Sequence, residues 1–101
     1  RLYYDLEDYK ASIVALNNSI IKFPDSKYRE EIMFMLVKSS YMLADNSILT
    51  KKKERFQNAI DEYYSFAAEF PESKFIKEAN RYYRLSAEYL GDDFQDNTDD
   101  K

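Results

Sequence analysis

Histidine and cysteine are both missing from this chain of 101 residues, and the two absences remove a large part of enzyme chemistry. No Ser-His or Cys-His pair can form, no imidazole or thiolate can hold a metal, and no thiol can carry redox chemistry. The lack of cysteine leaves the redox compartment open, because such a chain folds equally well in oxidising or reducing surroundings. Turn formers are almost as scarce, with one Gly and two Pro. An all-β fold needs a turn every ~8–12 residues, so this composition points to helices. Long apolar runs are lacking too. The longest, at residues 32–37, is far too short to span a bilayer.

Positive charge is not in excess. Residues 1–90 carry 14 Lys/Arg and 14 Asp/Glu, while five Asp against Lys101 in residues 91–101 supply the whole net charge of −4. A neutral body with an acidic tail lacks the basic footprint of a DNA or RNA binder. What the chain does have is apolar material: 45% of residues, with ten Tyr, seven Phe and no Trp, enough for one core and one domain. The first residues carry no signal-peptide pattern, and Arg1 stands where an element reads as already under way. A piece cut from a longer protein is therefore expected.

The sequence repeats itself. Phe23-Pro24-Asp25-Ser26-Lys27-Tyr28 returns as Phe70-Pro71-Glu72-Ser73-Lys74-Phe75, shifted by 47 residues. At the same shift Ile13 matches Ile60, Glu31 matches Glu78, Ser39 matches Ser86 and Leu43 matches Leu90. Beneath the matches lies a helical stripe. Tyr9, Ser12, Ile13, Leu16, Ser19, Ile20 and Phe23 recur as Phe56, Ala59, Ile60, Tyr63, Phe66, Ala67 and Phe70. Each stripe marks the buried face of an amphipathic helix. Pro24 and Pro71 must end these helices, since Pro lacks the N–H and its predecessor avoids αR geometry. Ser26 and Ser73 then stand where an N-cap is wanted, and Glu30 and Glu31 suit the positive end of the next helix dipole.

Helices are expected near 1–6 (the end of one), 8–23, 27–45, 50–70 and 74–90, followed by an acidic tail at 91–101. The helix at 27–45 is apolar almost all round and needs neighbours on two sides. Gly91 is placed as a C′ residue. Three lysines, Lys51-Lys52-Lys53, would oppose the dipole of the third long helix, which places Lys51 at least in the link before it. Helix pairs repeated at this interval form an α-solenoid, where each unit buries its apolar face only against the next.

The order of residues resembles the tetratricopeptide repeat: Phe56, Ala59, Tyr63 and Pro71 fill the large, small, large and Pro slots, as do Tyr9, Ser12, Leu16 and Pro24. The spacing exceeds the common form of about 34 residues, with the extra length best placed around residues 45–55. The junction, with the segments Lys27-Tyr28-Arg29-Glu30-Glu31, Lys52-Lys53-Glu54-Arg55-Phe56, Ile60-Asp61-Glu62-Tyr63-Tyr64 and Glu69-Phe70-Pro71-Glu72-Ser73-Lys74, is similar to the BamD (ComL-like) outer-membrane assembly lipoprotein family over roughly residues 1–90. The fold this implies is all-α, with antiparallel helix pairs stacked as a tetratricopeptide-like right-handed α-solenoid fragment of about two and a half repeats. The resemblance also implies a lipid-anchored, non-catalytic scaffold at the periplasmic face of the outer membrane. It would bind POTRA domains of the barrel assembly factor and other assembly lipoproteins, without cofactor, metal or nucleic acid. A Tol-Pal-associated periplasmic coordinator is the alternative scaffold, disfavoured by the long insertion at 45–55.

Candidate partner-binding residues are Met35, Lys38, Arg81 and Tyr82. They lie on the first helix of each unit, which lines the concave side in tetratricopeptide-like arrays, and Met, Arg and aromatic side chains are enriched at interfaces. The Lys51-Lys52-Lys53 run reads as a solvated segment before it reads as an anion site. The Asp-rich tail lacks the sixth-position Gly and twelfth-position Glu of an EF-hand loop. Glu30-Glu31 and Asp61-Glu62 are adjacent on helices, so neither pair faces itself across a cleft, and surface and dipole roles account for them. With only the end of its partner at 1–6, helix 8–23 should leave an apolar strip exposed at Leu2, Tyr3 and Leu6. Self-association of this chain is expected to follow.

Overall fold

Two Phe-Pro steps and one Asp-Asn-Ser step divide the chain into four helices. The computed structural model describes residues 6–98, with side chains described over 7–91. In order they are α1 (Leu6–Lys22), α2 (Arg29–Asp45), α3 (Leu49–Glu69) and α4 (Ile76–Thr98). The expected element at 1–6 and the strip at Leu2, Tyr3 and Leu6 lie outside the described residues and side chains. So do the side chains of the acidic tail.

The repeat seen in the sequence is also a repeat of bonds. Ser26 N–H donates to the Phe23 carbonyl and Ser73 N–H to that of Phe70, both at 3.1 Å. Arg29 N–H reaches the Ser26 carbonyl at 3.1 Å, and Ile76 N–H reaches that of Ser73 at 3.0 Å. The two serine hydroxyls accept the N–H two residues on, from Tyr28 and from Phe75, each at 3.0 Å. The serines therefore cap a turn that feeds the helix, while the position next to α2 is Tyr28, whose side chain caps nothing. Glu30 and Glu31 fall in the first turn of α2, where the dipole favours them.

α2 is the central element, as its all-round apolar sequence requires: it packs on α1, α3 and α4. Met33, Phe34 and Val37 of α2 meet Phe66 of α3 and Ala79 and Tyr82 of α4 in one buried cluster. Ala44, Phe56, Ile60 and Leu90 form a second, and Tyr41 packs against both. Aromatic rings bind the layers together, with Phe34 stacked on Phe75 at 4.6 Å and Tyr63 on Tyr83 at 4.6 Å. Burying each large apolar side chain contributes about 1.5–3 kcal/mol. The stripe of α3 is buried at Phe56, Ala59, Ile60 and Phe66. That of α1 is only half-buried, because among the described helices α1 packs on α2 alone. The fold is thus all-α, built of adjacent antiparallel helices as a helical-repeat fragment.

Three boundaries differ from expectation. The link between α2 and α3 is only 46–48, so the additional length of the repeat lies in the helices rather than in an enlarged loop. Lys51, Lys52 and Lys53 are all helical, which corrects the placement of Lys51 in the link. The side chain of Lys52 lies over the rings of Phe56 and Tyr89, 5.9 and 5.7 Å from their centroids. That attraction offsets an unfavourable dipole. Gly91 does not end its helix: α4 continues through it to Thr98, and no described Gly has positive φ. The residues that follow contain no Pro, and a Gly inside a helix costs only about 1 kcal/mol relative to Ala.

Candidate functional site

Met35, Lys38 and Met42 recur at spacings of three and four residues, so one side of α2 carries all of them. The opposite sides of α2 are taken up by core packing, which leaves this one to the surface. Tyr9 and Ser12 of α1 supply the facing wall. With Ser39 they enclose an open groove of about 330 Å³. Met35 is 37% exposed, and Lys38 is half-buried. A polarizable thioether and a lysine stem make an adaptable apolar lining with an ammonium at the rim. Such a groove can hold an apolar side chain beside an acidic one.

Arg81 and Tyr82 stand on α4, and their roles separate. Tyr82 is 4% exposed, stacked on Tyr41 at 5.0 Å, and its hydroxyl donates to a Glu78 carboxylate oxygen at 2.6 Å. Burial, then the bond to Glu78, holds its phenol above the ordinary tyrosine value, against an opposing pull from Arg81. Tyr82 is therefore a core residue and not an exposed contact, which corrects its place among the surface candidates. Arg81 is exposed, with its guanidinium 5.4 Å from the centre of the Tyr82 ring. Tyr41 of α2, which stacks on Tyr82, is half-buried and within the field of Arg81. Met35 and Lys38 thus share one groove, while Arg81 stands on α4.

Tyr9 and Ser12 were not legible as groove residues, because their spacing places them on the stripe of α1 that reads as core. Only the tertiary contacts show it: among the described helices α1 has one packing neighbour where α3 has two. Among the paired carboxylates, Glu31 and Asp61 are exposed as expected, but Glu30 and Glu62 are half-buried. Burial, and then the adjacent Asp61, raises the Glu62 carboxyl above the usual glutamate range. Arg29 closes the junction: its guanidinium pairs with both Glu69 oxygens, one of them at 3.1 Å from Nη2, and donates to the Pro24 carbonyl at 3.3 Å. This fork fixes the start of α2 to the end of α3.

Among the described residues no group of three acidic side chains is placed to hold a metal ion, and no helix is long and apolar enough to cross a membrane. No curated protein matches the chain, and no solved structure does. A family model described as YfiO, outer membrane lipoprotein, matches residues 1–91. That span contains both Phe-Pro junctions, the groove on α2 and the aromatic core beneath Arg81. By a match over nearly its whole length, on a fold of stacked helices, the chain belongs to the YfiO family of outer membrane lipoproteins.

Proposed function

We propose that this chain is a non-catalytic interaction scaffold, the C-terminal repeat part of a periplasmic lipoprotein of the outer-membrane β-barrel assembly machinery. The observation that carries this reading is the family match over residues 1–91. The twice-repeated junction supports a tetratricopeptide-like, right-handed stacking of the helix pairs. The scaffold works by presenting a preformed surface, with no bond made or broken. Stacked rings and the Arg29–Glu69 fork keep that surface rigid, so little ordering entropy is lost when a partner docks.

The partner surface in this reading is the groove of Met35 and Lys38, extended to Arg81, with Tyr82 supporting Arg81 from beneath. Its partners are POTRA domains of the barrel assembly factor, which would bring apolar side chains flanked by acids. The complete protein is held at the periplasmic face of the outer membrane by an N-terminal lipid. No feature of the groove favours a Tol-Pal coordinator. Titration calorimetry with isolated POTRA domains tests the proposal. Lys38→Glu and Arg81→Glu should each weaken binding by about tenfold, the effect of reversing a rim charge. Tyr82→Phe should leave it unchanged. Wild-type affinity in both charge-reversed variants would remove the groove from the interface.

A further inference from the structure

α1 and α3 both pack on α2 but not on each other. The space between them is a trough whose two halves, about 510 and about 350 Å³, meet where Asn17 of α1 faces Glu62 of α3. Met33, Leu36, Ser40 and Leu43 of α2 form its floor. Along α3 it reaches from Arg55 to Glu69, roughly 21 Å of helix. This is not the groove of Met35 and Lys38, since successive residues on a helix point about 100° apart.

Two charged groups of the trough pair with each other, two have neutral partners, and one has none. Arg29 pairs with Glu69 at one end. At the other, Arg55 donates to the Ser47 hydroxyl at 2.8 Å. Asp61 accepts the Gln57 side-chain amide at 3.2 Å. Glu62 is half-buried, and none of the described residues donates a hydrogen bond to it. A carboxylate drawn partly out of water without a donor is destabilising.

The internal repeat supplies a comparison within the molecule. The shift of 47 residues puts Val14 and Ala15 of α1 at the positions of Asp61 and Glu62. Both are exposed on their helix, so the repeat forms with small apolar groups at these positions and does not require acids there. The group without a partner at the middle of the trough is negative, and the floor is apolar except for Ser40.

We propose that the trough between α1 and α3 is a docking site for a helical segment of a partner protein, one that places a Lys or Arg side chain between Asn17 and Glu62. Its apolar neighbours rest on Leu36 and Leu43, and its cationic head supplies the donor that Glu62 lacks. Two helices flanking a third leave a furrow that another helix fills by ridges-into-grooves packing. The site does not depend on the assignment of the Met35–Lys38 groove to POTRA domains.

The test uses two labelled amphipathic peptides of about fourteen residues, the helical length of the trough, which differ only in a central Lys or Glu. Fluorescence anisotropy gives affinity, and amide chemical shifts of the whole chain give location. The Lys peptide should bind, moving the resonances of Asn17, Glu62 and Ser65. The Glu peptide should bind at least about tenfold more weakly, and Glu62→Gln should weaken the Lys peptide by about tenfold, as expected when a charge-assisted bond is lost. Lys38→Glu should change neither affinity. Equal affinity for the two peptides, indifference to Glu62→Gln, shifts confined to the Met35 groove, or no binding of either peptide would each overturn the proposal.

Discussion

Glu62 shows how much a single side chain depends on what packs beside it. Its carboxyl is raised by burial first and by Asp61 second, so the fold favours the protonated form. The linkage has a definite sign: an acid whose folded value is raised contributes fully below its unfolded value, and that contribution is lost as pH rises through the raised one. Glu62→Gln removes the loss. The variant should have a higher urea midpoint than wild type at neutral pH, and the two should converge below about pH 4. A variant that is equally or less stable at neutral pH would show that water relieves Glu62 in solution. Tyr82 makes the same point in the opposite direction. Its residue type suggests an interface anchor, but its ring lies against Tyr41 and its hydroxyl is spent on Glu78.

At the scale of elements, α3 behaves as its stripe foretells. Phe66 is fully enclosed, 6.1 Å from the ring of Phe34 and 6.0 Å from that of Phe70. Phe66→Ala should cost about 3–5 kcal/mol in equilibrium urea unfolding, with the denaturant slope unchanged. A loss below about 1 kcal/mol would mean that α2 and α4 can close over the cavity. Helix starts and stops were less legible than faces. The dipole penalty at the start of α3 is a local rule, and at Lys52 it yields to a non-local one, since Tyr89 comes from another helix. Gly91 as a helix stop is likewise a propensity, and propensities bend when the residues beyond do not resist. The Phe-Pro junctions carried no such ambiguity, because Pro removes a donor outright.

The whole molecule is lopsided in its cover. α2 is packed on three sides, whereas α1 leaves Val14 58% and Ile21 77% exposed, and Phe23 just after it is 61% exposed. Val14 and Ile21 are seven residues apart and share one helix face. The 101-residue chain should therefore self-associate, with a sedimentation mass that rises with concentration, and Ile21→Lys should return it toward monomer. A constant monomer mass across the concentration range would exclude this. The all-α class, the four long helices, the repeat of 47 residues and the Phe-Pro junctions follow from the sequence by itself, since periodicity and proline act locally. Which stripe residues become core, why Tyr9 and Ser12 line a groove, why Tyr82 is enclosed and why Glu62 lacks a donor were decided only by tertiary structure. A helical pattern says which side chains share a face. How many neighbours that face receives is settled by the other helices, and burial, hydrogen bonding and charge all follow from that number.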